Sequence, residues 1–328
     1  MFQTSVNHFF QGFSSTFSNW FMNIMSDFGS FPVYLIIIFI VLFGWNLRKG
    51  FFLTHIMFWA GMTNSFLKDY INSPRPLDID ETLKVLGPDY NHINIDGTNH
   101  SASGFFQTLP HDIIEKCRAI GIKSPGFPSG HATSAAAFWT TLPLMAKKGW
   151  LWIMGVLAII LIMVSRVYLG VHFLADVLGG FLSGIIIMAI GFAIYHWLLE
   201  NDVKGQKRFH LYTFTGRMIR FLYYLGLPIV LSFIPQVGLQ YTAPLLGINL
   251  VIISSDLGNI EERGQLWERL IRVIFSLIIF FLFAKLLTFL PPPKTELLKF
   301  VEMSLQYFLA IRLSISICIW TRLYRRSY

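Results

Sequence analysis

Long apolar runs alternate along the chain with short polar connections, and the runs come close to the roughly 20 residues needed to cross a bilayer. The pattern predicts helices at 31–47 around VYLIIIFIVLFGW, at 51–67 ending on Lys68, and at 132–147, 150–169 and 172–199. A second group falls at about 219–237, 240–256, 269–290 and 297–320. Runs that are apolar on every side belong inside a large core or in lipid. The expected fold is therefore all-α, a polytopic integral membrane bundle of about nine transmembrane helices. Residues 1–30 lack a basic start, and FFQGFSSTFSNWFMNIM shows a broken amphipathic pattern. This predicts a helix lying in the membrane interface instead of a secretory signal.

Composition agrees: of 328 residues, 54% are hydrophobic, 16% aromatic and 13% charged, and the mean hydropathy is +0.56. Such a chain is too apolar for an ordinary soluble domain. A net charge of +8 raises nucleic acid as a partner, but the basic residues cluster in short connections between runs, so topology explains them and no nucleic acid is expected. Cys117, in a long loop, and Cys318, near the end of the last run, have no metal or redox spacing and are expected to be free and structural.

Nine crossings place the termini on opposite sides. With TRLYRRSY at the C-terminus taken as cytoplasmic, NLRKG at 46–50, AKKGW at 146–150, the basic stretch 203–220 and 258–272 fall on that same side. Lys68 to Gly130, SRVYLGVH, IPQVGLQ and LPPPKTE fall on the other. The loop 77–123 is the sizeable soluble insertion, and PHDIIEKCRAIG within it reads as a short amphipathic helix ending at Gly121. It is placed to lie over whatever the neighbouring segments enclose.

Three stretches on the non-cytoplasmic side carry polar residues that lipid tolerates poorly: KDYINSPRP at 68–76, PSGH at 128–131 and SRVYLGVHFLAD at 165–176. On a helix, His172 and Asp176 would share a face, so the carboxylate could hold one imidazole nitrogen and leave the other as base or nucleophile. Lys68, Arg75 and Arg166 concentrate positive charge, and arginine forks suit phosphate oxygens. Ser129 and Gly130 precede an apolar run, so their amides would open a helix and face an anion. Gly130 would allow close approach. Two histidines, one with an acid behind it, three cations and an amide nest suit phosphoryl transfer through a phosphohistidine.

Together the stretches resemble the signature of the type 2 phosphatidic acid phosphatase superfamily: K-x6-R-P, then P-S-G-H, then S-R-x5-H-x3-D. Every position is present, as Lys68, Arg75 and Pro76; Pro128, Ser129, Gly130 and His131; and Ser165, Arg166, His172 and Asp176. The resemblance implies His172 as the nucleophile, Asp176 as its orienting partner and His131 as the acid for the leaving alkoxide. Lys68, Arg75, Ser129, Gly130 and Arg166 would bind the phosphate, with no metal or other cofactor. Residues 31–200 would form the catalytic core, and 201–328 would add further spans. In length and extra spans the chain is similar to the branch holding sphingosine-1-phosphate phosphatases and glucose-6-phosphatases.

The expected activity is hydrolysis of a lipid phosphate or pyrophosphate at the outer membrane face, periplasmic or lumenal, in a bacterial inner membrane or the endoplasmic reticulum. Membrane lipids and the phosphorylated substrate would be its partners. The competing readings are a soluble-substrate phosphatase of the glucose-6-phosphatase type, a lipid phosphotransferase, and a transporter or binding protein for phosphorylated lipids. Taken singly, His131 would be a packed histidine and Lys68 a snorkelling one; Asp176 is costly in an apolar helix unless paired, and His172 is its nearest partner. His55, His92, His100, His111 and His196 lack such a setting. DIDE at 78–81 reads as solvated loop, and NHS at 99–101 fits a glycosylation acceptor in a eukaryotic secretory membrane. Lys285 and Arg312 lie at membrane depth and Asp256 near the end of a run, as an ion pair or the lining of a groove.

Overall fold

The apolar runs fold as helices, and several polar residues inside them, Asn64, Ser165 and Asp176 among them, are buried. A computed structural model describes residues 1–87, 99–122, 124–195, 218–219, 221–255, 257, 260–262, 264–289 and 291–326. His92, His196, Asp256 and nearly all of the basic stretch 203–220 lie outside these. In chain order the helices are α1 (Ser5–Gln11), α2 (Thr16–Phe28), α3 (Phe31–Phe39) running into a π-helical turn Ile40–Trp45, α4 (Leu47–Ile71) and α5 (Pro76–Ile79). Next come α6 (His111–Ile120), α7 (Gly130–Ala146), α8 (Gly149–Tyr168) and α9 (Leu174–Tyr195). After a π-helical turn Leu222–Gly226 follow α10 (Leu227–Ser232), α11 (Leu239–Ser254), α12 (Leu266–Leu287) and α13 (Glu296–Trp320). A two-residue antiparallel pair joins Ile260–Glu261 to Arg325–Arg326.

The chain is an integral, multi-pass membrane protein. Among the described residues α8, α9, α12 and α13 are long and apolar enough to cross a bilayer, and a fifth crossing results if α2 and 31–45 form one broken span. The expected count of nine goes beyond this. Helix α4 carries Arg48, Lys49, Lys68 and Asp69, while α7 has 17 residues and α11 has 16. On α8 and α9, Ile153, Val156, Ile160, Leu182 and Ile186 are exposed, whereas Ser165 and Asp176 are fully buried. That inversion suits helices facing lipid.

The described chain divides into two units, 1–34 with 63–189 and 35–62 with 190–328. The N-terminal helices join the unit that holds the motifs. In that unit α7 packs on α8, and α9 on α7, through small residues. A Cβ on Gly155 would stand 2.6 Å from the Trp139 carbonyl oxygen, and one on Gly180 would stand 2.5 Å from that of Ser129. One turn on, Gly184 lies against the Thr133 carbonyl. Gly180 and Gly184 form the small-xxx-small spacing that lets membrane helices approach closely.

The N-terminal segment is more than an interfacial helix. Ser15 caps α2, its Oγ accepting from the Ser18 amide at 3.1 Å. Phe9, Phe13 and Phe17 are exposed at 64%, 66% and 71%, while Asn7 and Gln11 are 0% and 4% exposed. The aromatic side suits the membrane interface, and the polar side is spent inside the unit. In the loop after α5, the Asp80 carboxylate accepts from Asn99 Nδ2 (2.7 Å) and from the Thr82 amide (3.1 Å), and it pairs with His8 Nε2 (3.1 Å). Burial pushes the Asp80 carboxyl up, but hydrogen bonds from Thr4, Thr82 and His8 outweigh it and hold the group below the usual carboxylate range. The DIDE stretch is thus an anchor for α1, not a free solvated loop. Helix α6 ends at Gly121 (φ 98°) as expected. Its Arg118 donates to the carbonyls of Ile71 (2.6 Å) and Asn72 (3.2 Å), and Ile113 and Cys117 pack with Ile79, Leu109 and Phe173. Cys117 and Cys318 are free and buried, and burial pushes the Cys117 thiol up to about 11.

In the second unit, α11 and α13 pack where Gly247 meets the Ser304 carbonyl. His55 is buried between the Phe51 carbonyl oxygen and Asn249 Oδ1, each at 2.7 Å. Arg312 Nη1 donates to Ser316 Oγ (3.0 Å), and Lys285 is exposed.

Candidate active site

All eight motif residues with an expected role fall in the first unit, at or next to the ends of α4, α5, α7, α8 and α9. His172 and Asp176 do meet, though not as two residues on one helix face. Tyr168 ends α8, Gly170 turns the chain with φ 77°, and α9 begins only at Leu174. His172 therefore sits in the turn, and Asp176 reaches back from the first turn of α9. Its Oδ2 accepts from the Phe173 amide at 2.9 Å and lies 3.2 Å from His172 Nδ1. A carboxylate there also answers the partial positive charge of the helix start. The pair is buried, with His172 at 2% and Asp176 at 0%. Nε2 of His172 has no hydrogen bond to a described residue.

The second motif opens α7 at Gly130, after a cis peptide between Phe127 and Pro128. The expected amide nest needs a correction. The Ser129 amide donates to the Asp176 carbonyl oxygen at 2.9 Å, so it is committed to joining the second and third motifs. The Ser129 side chain is what remains: its Oγ is buried without a hydrogen-bond partner among the described residues. The Gly130 amide lies at the start of α7. His131 stands beside Gly29, where a Cβ would come 3.1 Å from the His131 ring and 2.8 Å from Ile162.

The cations do structural work around this core. Arg75 donates through Nε to the Ser124 carbonyl (2.9 Å), through Nη2 to Ser124 Oγ (2.7 Å) and through Nη1 to the Val171 carbonyl (3.4 Å). It thus ties the loop before the second motif to the residue before His172. Lys68 Nζ donates to the Pro125 carbonyl and, at 3.4 Å, to that of Gly126. Gly126 is wedged in: a Cβ there would stand 2.9 Å from the Pro74 carbonyl oxygen and 3.1 Å from Asp176 Oδ2. Arg166 Nη1 donates to Ser26 Oγ, and its Nε is buried with no partner among the described residues. The charges of Lys68, Arg75 and Arg166 all act on both His172 and His131. Among the described residues no three His, Cys, Asp or Glu side chains gather to hold a metal ion.

Two residues that sequence reasoning missed support the site. Asn64, one turn before Lys68 on α4, donates to the Pro128 carbonyl (3.1 Å) and to Thr133 Oγ1 (3.4 Å), and its Oδ1 faces Gly130. An amide in the middle of an apolar run was the available signal. Asn7 of α1 is the other. Its Nδ2 donates to the carbonyls of Val167 (2.8 Å) and His172 (3.0 Å).

The fold and these residues define a helical membrane protein with a buried His–Asp pair among three cations. Residues 49–200, a little under half of the chain, match the PAP2 superfamily. The chain is 45% identical over 58 residues to an undecaprenyl-diphosphatase of Sulfolobus acidocaldarius, covering 18% of this chain and 28% of that protein. It is 41% identical over 70 residues to phosphatidylglycerophosphatase B of Bacillus subtilis, covering 19% of this chain and 34% of the relative. The matched stretches therefore span about a third or less of these curated relatives. Among solved structures, Aquifex aeolicus LpxE aligns with a TM-score of 0.44 at 22% identity, over 59% of this chain and 96% of its own. The first transmembrane PAP2-type phosphatidylglycerolphosphate phosphatase from Bacillus subtilis aligns at 0.40 and 22%, over 63% and 87%.

Proposed function

We propose that the chain is a membrane phosphatase that hydrolyses a lipid phosphate or lipid diphosphate through a phosphohistidine on His172. The observation that carries this reading is the buried His172–Asp176 pair, with Nδ1 at 3.2 Å from the carboxylate and Nε2 without a hydrogen bond among the described residues, amid three cations. Buried positive charge that exceeds buried negative charge calls for an anion. Ser129 Oγ and Arg166 Nε, both without partners among the described residues, are donors suited to phosphoryl oxygens.

In the first step Nε2 of His172 attacks phosphorus, the bond from phosphorus to the leaving oxygen breaks, and His131 gives that oxygen its proton. Asp176 holds Nδ1–H and stabilises the ring as it becomes cationic. In the second step His131, now neutral, takes a proton from water. The oxygen attacks phosphorus, the N–P bond breaks, and inorganic phosphate leaves. Lys68, Arg75, Arg166, Ser129 Oγ and the Gly130 amide would stabilise charge on the equatorial oxygens.

The lipid substrate class rests on the positions of the motif residues at helix ends, where a headgroup reaches them while its tail stays among helices. The partial relatives named as acting on undecaprenyl diphosphate and phosphatidylglycerophosphate direct the choice of first substrates. A screen for phosphate release across prenyl diphosphate, phosphatidylglycerophosphate, phosphatidate, sphingoid-base phosphate and hexose phosphate is the test. Release from lipids and not from hexose phosphate is expected, with loss of release in His172→Ala. Preference for hexose phosphate would favour a soluble-substrate enzyme, and binding without turnover a lipid-binding protein. Orthovanadate should compete with substrate, and EDTA should leave the rate unchanged; rate lost to EDTA and restored by a divalent ion would overturn the metal-free chemistry.

The same proposal includes nine crossings, with the motifs on the periplasmic or lumenal face, the C-terminus cytoplasmic, and 201–328 as additional spans.

A further inference from the structure

The N-terminal helix reaches the main chain of the nucleophile. Asn7 is fully buried, and its two Nδ2 hydrogens go to Val167 O at 2.8 Å and His172 O at 3.0 Å. These carbonyls bracket the turn that separates Arg166 from His172. With the amide reversed, Oδ1 would face two acceptors, so the orientation that bonds is fixed by its partners. The Val167 carbonyl has another donor, the Gly170 amide at 3.1 Å. For the His172 carbonyl, Asn7 is the donor among the described residues.

We propose that Asn7 is a positioning residue for His172 in the phosphatase reaction. The inference rests on the function proposed above and deepens it. His172 is held at two points: Asp176 fixes the ring through Nδ1, and Asn7 fixes the backbone from which the ring projects. Nucleophilic attack depends on placement to a fraction of an ångström, so a turn with a single glycine hinge, Gly170, needs this second hold. A neighbour on the same helix gives the arrangement its own control. Gln11, one turn along α1, donates to the carbonyls of Lys84 (2.9 Å) and Tyr168 (3.2 Å) and accepts from the Lys84 amide (2.9 Å). It docks the same helix without touching His172.

The experiment measures kcat and KM for phosphate release from a short-chain phosphatidate and from farnesyl diphosphate, in detergent micelles. The full-length wild type is compared with Asn7→Ala, Asn7→Asp, Gln11→Ala and His172→Ala, and thermal unfolding is recorded for each. Asn7→Asp keeps the shape but removes both donors. Both Asn7 variants are expected to lower kcat at least tenfold with KM within twofold. Gln11→Ala should change kcat less than twofold whatever it does to thermal stability. Wild-type kcat in Asn7→Ala or Asn7→Asp, or an equal loss of kcat in Gln11→Ala, would overturn the positioning role while His172→Ala remains inactive. Release by His172→Ala, or no release by wild type from either substrate, would instead overturn the underlying reading of function.

Discussion

At the level of single side chains, the central relation is between one imidazole and one carboxylate. Asp176 Oδ2 serves both His172 Nδ1 and the Phe173 amide, so it sets the ring and the start of α9 together. Replacing it by Asn keeps the amide acceptor but loses the charge that steadies a cationic imidazole. Asp176→Asn is expected to lower kcat about 100-fold or more, with KM changed far less. Steady-state kinetics of the purified variant check this, and equal kinetics in the two proteins would contradict it. The pairing was legible from a spacing of four residues, but the local structure behind it was not, because the chain turns at Gly170 and delays the helix to Leu174. The Ser129 amide was misjudged for a related reason. Whether an amide at a helix start is free depends on what approaches it, and the Asp176 carbonyl does. Asn7 was beyond reach, since its partner His172 is 165 residues away.

Among the helices, α7 opens on the second motif and α9 carries Asp176 of the third, and the two meet through Gly180 and Gly184. A Cβ on Gly180 would press on backbone, the Ser129 carbonyl oxygen at 2.5 Å, which no side-chain rotation relieves. Gly180→Ala is expected to cost about 1–3 kcal/mol in stability and to lower activity by displacing Ser129. Thermal unfolding in detergent, read beside phosphate release, tests both parts. Helix α1 supplies a pH-dependent hold. The Asp80 carboxyl is more acidic in the folded protein than in the unfolded chain, so its contribution is complete above the usual carboxylate range and is lost as pH falls through its lowered value. Protection of α1 from proteolysis or hydrogen exchange should therefore weaken on acidification below that range. In Asp80→Asn this dependence should disappear, and an unchanged acid profile in that variant would contradict the assignment. The helical runs themselves were readable from hydrophobicity, as was α6 from its amphipathic pattern and Gly121. The docking of α1 was not, because Phe9, Phe13 and Phe17 dominate the pattern while Asn7 and Gln11 do the anchoring.

For the molecule as a whole, hydropathy made the membrane class plain, and ordered polar motifs pointed to one catalytic unit. The number of crossings was harder to read, because α4 mixes charge with apolar residues and α7 and α11 are short. The proposed topology predicts that single cysteines introduced at Thr108 and at Lys148, in a background lacking Cys117 and Cys318, react with a membrane-impermeant maleimide from opposite sides of intact vesicles. Labelling of both from the same side would contradict it. The central claim, a phosphoryl group carried by His172, is tested most directly by quenching the enzyme during turnover at alkaline pH and locating the added phosphoryl group by mass spectrometry of its peptides. The account predicts the adduct on His172 in wild type and neither adduct nor turnover in His172→Ala. Turnover that persists in His172→Ala, or an adduct on a different residue, would contradict it.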